Sequence, residues 1–188
     1  MTNIKMKQDT NINGLFIIKN NVFTDQRGVF METWDHEQFK EHQLNAIFTK
    51  SNISISKKNT IRGLHFQNNP YGQLKYVNVL YGKVLDVVVD IRKKSNTFGE
   101  VFSIELSDLN RYGLWIPAGC AHGFLSLQNN TIFSYKCTGE YKPSQEQTIK
   151  WNDKDLSIKW GIINPIISKK DENGMSFKQY IESKEING

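Results

Sequence analysis

From Leu74 onward the chain is a succession of short β-branched and aromatic runs separated by turn residues. No other feature limits the fold as much. Leu74–Tyr81 and Val84–Ile91 meet at Gly82-Lys83, which reads as a hairpin turn. Val101–Leu106, Leu114–Ile116, Phe124–Leu127 and Ile132–Tyr135 follow at short intervals. Short strands at this spacing predict an all-β sandwich or closed barrel of the jelly-roll kind. Upstream, Leu15–Ile18 reads as a strand before an Asn20-Asn21 turn. Phe23–Gly28 reads as a turn leading into a strand at Val29–Trp34, and Ile47–Ser56 as another strand. His36–Gln43 reads as a short helix capped by Asp35. Trp151–Trp160 is less regular, the segment after Pro165 is polar, and Ser176–Ser183 reads as a final helix.

The 188 residues are expected to form one all-β domain with small helices at its ends. Lysine plus arginine is 24 against 19 for aspartate plus glutamate, a formal charge of +5. The basic clusters, Lys57-Lys58, Arg92-Lys93-Lys94 and Lys169-Lys170, are sparser than a nucleic-acid stripe. A few cations aimed at a small anionic ligand suit them better. No apolar run approaches the ~20 residues of a membrane span. Met1–Gly14 is polar, without the apolar core of a secretory signal. Cys120 and Cys137 have neither metal-type nor redox spacing. Reduced thiols and a cytoplasmic location are the expectation.

Candidate chemistry centres on Arg62-Gly63-Leu64-His65-Phe66-Gln67. A regular strand sends Arg62 and His65 to opposite faces, because they are an odd number of residues apart. A bulge at Gly63 would turn both into one cavity. The other reading is a half-buried strand with His65 bonded in the core. His122 lies in Pro117–Phe124, read as a loop with a proline and two glycines, beside a possible pocket mouth. Lys75 reads as a strand lysine of the kind that protects an edge. Tyr135 and Tyr141 read as aromatics with bonded hydroxyls, and Asp171 as a solvated carboxylate. Together, histidine, lysine, tyrosine and carboxylate make a competent proton-transfer set. Neither His65 nor His122 has the neighbours a metal site requires.

The linked motifs FTDQRGVF (Phe23–Phe30), IRGLHFQ (Ile61–Gln67), Gln73–Lys75, GKVLDVVVDIR (Gly82–Arg92), SNTFG (Ser95–Gly99), LWIPAGCAHGF (Leu114–Phe124), Tyr135-Lys136 and Trp151–Asp153 resemble those of the dTDP-4-dehydrorhamnose 3,5-epimerases. They run in order from about Phe23 to Asp171. The resemblance implies a cupin jelly roll and a homodimer exchanging an N-terminal arm of roughly residues 1–35. A core of roughly 45–160 and a polar tail of 161–188 complete that picture. It also implies a nucleoside-diphosphate sugar substrate and no metal or organic cofactor. By the same resemblance His65 is the base, Asp171 its orienting carboxylate, Tyr135 the acid, and Lys75 the cation near the sugar carbonyl. Arg27, Glu32, Asn52, Arg62, His122, Glu146 and Lys170 fall at substrate-binding positions, with Arg27 from the partner subunit, and Tyr141 stacks on the base. The chain departs from the family pattern at Lys50-Ser51-Asn52, usually Gln-Asp-Asn, and at Glu140-Tyr141, usually paired tyrosines. It departs again at Gln73-Leu74-Lys75-Tyr76, usually Gln-Gly-Lys-Leu. The nucleotide, and whether one or both carbons are epimerised, stay open at this point, as does a non-catalytic sugar-nucleotide binder.

Overall fold

The computed structural model describes residues 5–7 and 10–183; residues 1–4 and 8–9 of the expected arm, and 184–188 of the expected tail, lie outside the described residues. Two antiparallel sheets face each other. One has six strands in the order β1 (Lys5–Lys7), β2 (Phe16–Lys19), β10 (Tyr112–Ile116), β7 (Lys75–Tyr81), β12 (Thr131–Thr138) and β5 (Phe48–Ser56). The other has five, β13 (Glu146–Thr148), β6 (Ile61–Gln67), β11 (Cys120–Ser126), β8 (Lys83–Asp90) and β9 (Val101–Ser107). β3 (Val22–Asp25) and β4 (Gly28–Met31) make a separate hairpin. The helices are short: α1 (His36–Glu41), α2 (Lys169–Glu172) and α3 (Phe177–Glu182). This is the jelly-roll sandwich expected from the strand spacing. Among the described residues, no helix is long and apolar enough to cross a membrane.

Each layer is held by its own apolar cluster. Between the sheets lie Val77, Val79, Leu114 and Phe133 of one and Val84, Val88, Leu106 and Phe124 of the other. The outer face of the five-stranded sheet is covered by the chain end, where Leu156, Trp160, Phe177 and Tyr180 pack on Leu64, Phe66, Val87 and Val89. β8 is therefore buried on both faces, which accounts for its nearly unbroken valine run. An aromatic cluster of Trp34, Phe39, Phe48, Tyr76 and Trp115 seats α1 on the six-stranded sheet. Asp35 caps that helix by accepting the Gln38 N–H at 2.8 Å, as expected.

Several local expectations are corrected. β7 and β8 are not a hairpin: each is an interior strand of a different sheet, and Gly82 turns the chain from one layer to the other. Two strands this apolar are both interior, so pairing them only with each other would leave valines in water. Lys75 stands on an interior strand between β10 and β12, not on an edge. Phe23–Asp25 is a strand that pairs with Gly28–Met31, because Gln26-Arg27 supplies the tight turn. His122 lies within β11, not in a loop.

The glycines that suggested a loop around His122 serve a different purpose. His122 pairs with His65, and Phe124 with Arg62, so three residue steps on β6 match two on β11. The bulge falls at Gly63, which has φ of +120°. A Cβ on Gly63 would lie 2.5 Å from the Cα of Gly123, and a Cβ on Gly123 would lie 2.6 Å from the Arg62 carbonyl oxygen. The two backbones meet where neither can carry a side chain. The expected bulge is thus present, and both Arg62 and His65 line one cavity. Gly63→Ala combines this clash with a disfavoured φ and is expected to cost about 3 kcal/mol or more. Gly139→Ala, at φ of +67° with open space around the position, should cost about 1–2 kcal/mol. Urea unfolding of the two variants checks the order.

Candidate active site

A cavity of about 790 Å³ opens between the sheets. Its walls follow from cross-strand register. On the six-stranded sheet Lys50, Cys137 and Lys75 form one rung across β5, β12 and β7, and Asn52 pairs with Tyr135 on the next rung. On the five-stranded sheet His65 and His122 are partners across β6 and β11. All of these side chains line the cavity. β5 inverts the usual pattern of an outer strand. Lys50, Asn52 and Ser54 face in, while Ile53 and Ile55 are 62% and 64% exposed.

His65 and Asp171 are joined Nε2 to Oδ1 at 2.6 Å. The expectation of a solvated Asp171 is corrected, since its side chain is only 5% exposed. α2 brings it there, with Ser168 capping the helix through the Asp171 N–H. The Gly63 N–H donates to the other carboxylate oxygen at 3.2 Å, so the bulge that turns His65 inward also holds its partner. Burial raises the Asp171 carboxyl, but the His65 bond and charge, the Gly63 N–H and Lys170 outweigh it and hold the pKa below the ordinary range.

A second histidine–carboxylate pair stands alongside. His122 Nε2 lies 3.0 Å from both oxygens of Asp86, which is fully buried in β8. Asp86 is not among the site residues expected from the sequence. Its signal was a carboxylate set in a run of valines at a position that the sandwich turns inward. Lys75 Nζ donates to the His65 carbonyl at 3.3 Å. Burial pushes the Lys75 ammonium down, while the neighbouring thiols and the carboxylates Glu146 and Asp86 oppose the shift. Burial also raises the Tyr135 hydroxyl, with Cys137 adding to the effect and Arg62 opposing it.

Polar groups ring the mouth. Tyr141 Oη donates to Glu146 Oε2 at 2.9 Å, and Lys170 pairs with the same oxygen. Burial raises the Glu146 carboxyl, but Lys170, Tyr141 and the His65 charge bring it below its ordinary value. Lys50 Nζ lies 4.7 Å from the Tyr141 ring centre, a contact the sequence reading did not single out. Arg62 is bonded to Ser56 Oγ at 3.1 Å on the rim. Arg27 and Glu32 are not in their own chain's cavity. Arg27 is 86% exposed at the β3–β4 tip, paired with Asp25, and Glu32 accepts from Gln38 Nε2 at 3.1 Å. Among the described residues, no group of three or more His, Cys, Asp or Glu is placed to hold a metal ion. The cavity therefore offers a carboxylate-backed histidine on one wall, and a neutral phenol and a buried lysine on the other.

Known proteins share both chain and fold. The family model for dTDP-4-dehydrorhamnose 3,5-epimerase matches residues 9–179. The dTDP-4-dehydrorhamnose 3,5-epimerase of Methanothermobacter thermautotrophicus is 45% identical over 168 residues, covering 87% of this chain and 90% of that protein. The crystal structure of the Elizabethkingia anophelis enzyme of the same name superposes with a TM-score of 0.89 at 41% identity, over 95% of this chain and 98% of that one. That of a dTDP-6-deoxy-D-glucose-3,5-epimerase from Legionella pneumophila, in complex with dTDP-4-keto-L-rhamnose, gives 0.85 at 38% identity, over 94% and 93%. With its jelly-roll sandwich and a histidine–carboxylate pair in the cavity, the chain belongs to the dTDP-4-dehydrorhamnose 3,5-epimerase family, and it is an epimerase of the cupin type.

Proposed function

We propose that the protein inverts carbons 3 and 5 of a dTDP-linked 4-keto-6-deoxy sugar by removing a proton from one face and returning one to the other. The observation that carries this reading is that His65, backed by Asp171, and Tyr135 come from facing sheets into one cavity. Both carbons are α to the carbonyl, so breaking either C–H bond sends its electron pair to the carbonyl oxygen as an enolate. His65 takes the proton, and Asp171 holds the ring and stabilises the imidazolium. Lys75 balances the enolate oxygen, the kind of preorganised charge that dominates many enzyme reactions. Tyr135 donates a proton from the opposite wall, and the reaction balances with protons alone. Neither a metal nor an organic cofactor enters this scheme. The ligand of the Legionella relative supports the substrate class.

Tyr141 is the surface on which the base stacks, and Asn52, Arg62, His122, Glu146 and Lys170 hold the rest of the nucleotide sugar. The working form is a homodimer in which the partner's hairpin brings Arg27 and Glu32 to the rim. Support comes from the exposed hairpin, with Phe23 at 50% and Phe30 at 67%, and from Ile53 and Ile55 on the outer strand β5. The two cysteines are reduced and buried, consistent with a cytoplasmic enzyme.

Incubation with dTDP-4-keto-6-deoxyglucose in heavy water containing a chelator is expected to place deuterium at both carbons of the epimerised sugar. Deuterium at one carbon would make the protein a monoepimerase, and none at all would make it a binder. His65→Asn should cut exchange about 10²–10⁴-fold with the fold intact. Asp171→Asn should cost less, because the base remains.

Tyr135→Phe separates delivery from removal. Its product should carry deuterium in the starting configuration, with epimer formation lowered about 10²–10⁴-fold. Proton NMR and mass spectrometry of the recovered sugar decide this, and full epimerisation by the variant rejects Tyr135 as the acid.

The pH profile follows from the two opposed shifts. Lys75 must be charged to balance the enolate, and its lowered pKa means that the charge is lost below the ordinary 10.5. Tyr135 keeps its proton above the ordinary 10.0. The alkaline limb of turnover should therefore fall below pH 10.5 and shift upward in Lys75→Arg. An unmoved limb would assign it elsewhere.

A further inference from the structure

Tyr141 stands on the connection between β12 and β13, and among the described residues its ring belongs to no apolar cluster. The backbone on either side of it is fixed by one side chain. Gln67 Nε2 donates to the Glu140 carbonyl at 3.1 Å and to the Tyr71 carbonyl at 2.8 Å. Gln67 Oε1 accepts the Lys142 N–H at 2.7 Å. The residue is buried, at 7% exposure, and its three bonds are partly buried. Gln67 lies two residues past His65 on β6, and it pairs with Glu146 across β13. Glu146 in turn accepts from the Tyr141 hydroxyl.

We propose that Gln67 is a positioning residue for nucleotide binding. By bonding the carbonyl before Tyr141 and the amide after it, Gln67 sets the plane of the ring and ties that platform to the strand that carries His65. The proposal rests on the reading of Tyr141 as the surface for the base. The chemistry of the clamp is narrow. Two carbonyls need two donors and the N–H needs an acceptor, and among uncharged side chains only a primary amide presents two donors beside an acceptor. A carboxylate keeps the Lys142 bond but repels the two carbonyls. A thioether of the same length keeps neither. The connection carries exposed Gly139 and Glu140 and has little packing of its own, so losing the clamp frees the ring without opening the core.

The test is a double-mutant cycle on the affinity for dTDP, measured by calorimetry, with turnover at saturating substrate and thermal unfolding recorded beside it. Gln67→Met should weaken dTDP about 5- to 150-fold, the range equivalent to losing a base–aromatic stack. The loss should appear in affinity and KM more than in kcat. Gln67→Met combined with Tyr141→Ala should bind no more weakly than Tyr141→Ala alone, because both remove the same platform. Gln67→Glu should bind weakly at neutral pH and recover relative to the native protein as pH falls, since the protonated carboxyl again has a donor. That arm decides the matter if Gln67→Met does not fold, and absence of recovery overturns the clamp. Native affinity in Gln67→Met beside a weakened Tyr141→Ala overturns the clamp alone, as do additive losses. Unchanged affinity in Tyr141→Ala overturns the platform and the clamp with it.

Discussion

Gly63 and Gly123 meet across β6 and β11 at a distance that admits no Cβ on either, and the polar interior is arranged around that contact. A regular pairing there would send Arg62 to one face and His65 to the other. The extra step at Gly63 puts both into the cavity and leaves the Gly63 N–H free of the ladder to donate to Asp171. One backbone irregularity thus turns a histidine and a rim cation into the cavity and gives the Asp171 carboxylate its second hydrogen bond. The same strand continues outward with Leu64 and Phe66 in the core beneath the chain end, so the irregular segment is anchored by regular packing on its other face.

A sandwich of this size would ordinarily fill its interior with aliphatic side chains. Here the apolar cluster between the sheets includes Val77, Val88 and Phe133, and the other end of the same space carries charge. Burying a lone carboxylate or ammonium is costly. The two buried carboxylates paired with the cavity's histidines are each satisfied: Asp171 has His65 and Gly63, and Asp86 has His122. The outer strand β5 shows the same division from the other side. Its polar residues face the cavity, which leaves its isoleucines facing out.

How much of this was legible in the sequence differs by residue. The strands were legible because β-branched runs broken by turn residues have few other readings. The bulge was legible because a glycine stood between two polar groups of the wrong spacing. The pairing of β7 with β8 was misread, since Gly-Lys between two apolar runs marks a chain reversal without saying whether it stays in one sheet. The expectation of a loop at His122 fails because glycine signals both a turn and a close backbone approach, and only the partner strand distinguishes them. Asp171 looked solvated because its partners, Gly63 and His65, are more than a hundred residues away and local composition carries no trace of them. Arg27 and Glu32 match family positions yet stand outside their own chain's cavity, at the tip and foot of the exposed hairpin, a placement that local sequence does not reveal.

Burial acts on the two groups of the six-stranded wall in opposite numerical directions and with one physical meaning. It lowers the Lys75 ammonium and raises the Tyr135 phenol, in both cases favouring the uncharged form. In the proposed reaction the enolate oxygen brings negative charge into this space. The charged form of Lys75, penalised by burial before the reaction, gains a partner as that charge grows. The interaction is therefore stronger in the transition state than with the ketone bound, which is the condition for it to accelerate the chemical step. The phenol behaves in the complementary way. It keeps its proton at neutral pH, and gives it up to a carbanion far more basic than itself. The ordinary penalty for burying polar groups in a β-sandwich is thus turned to use at the point where the reaction generates the missing charge.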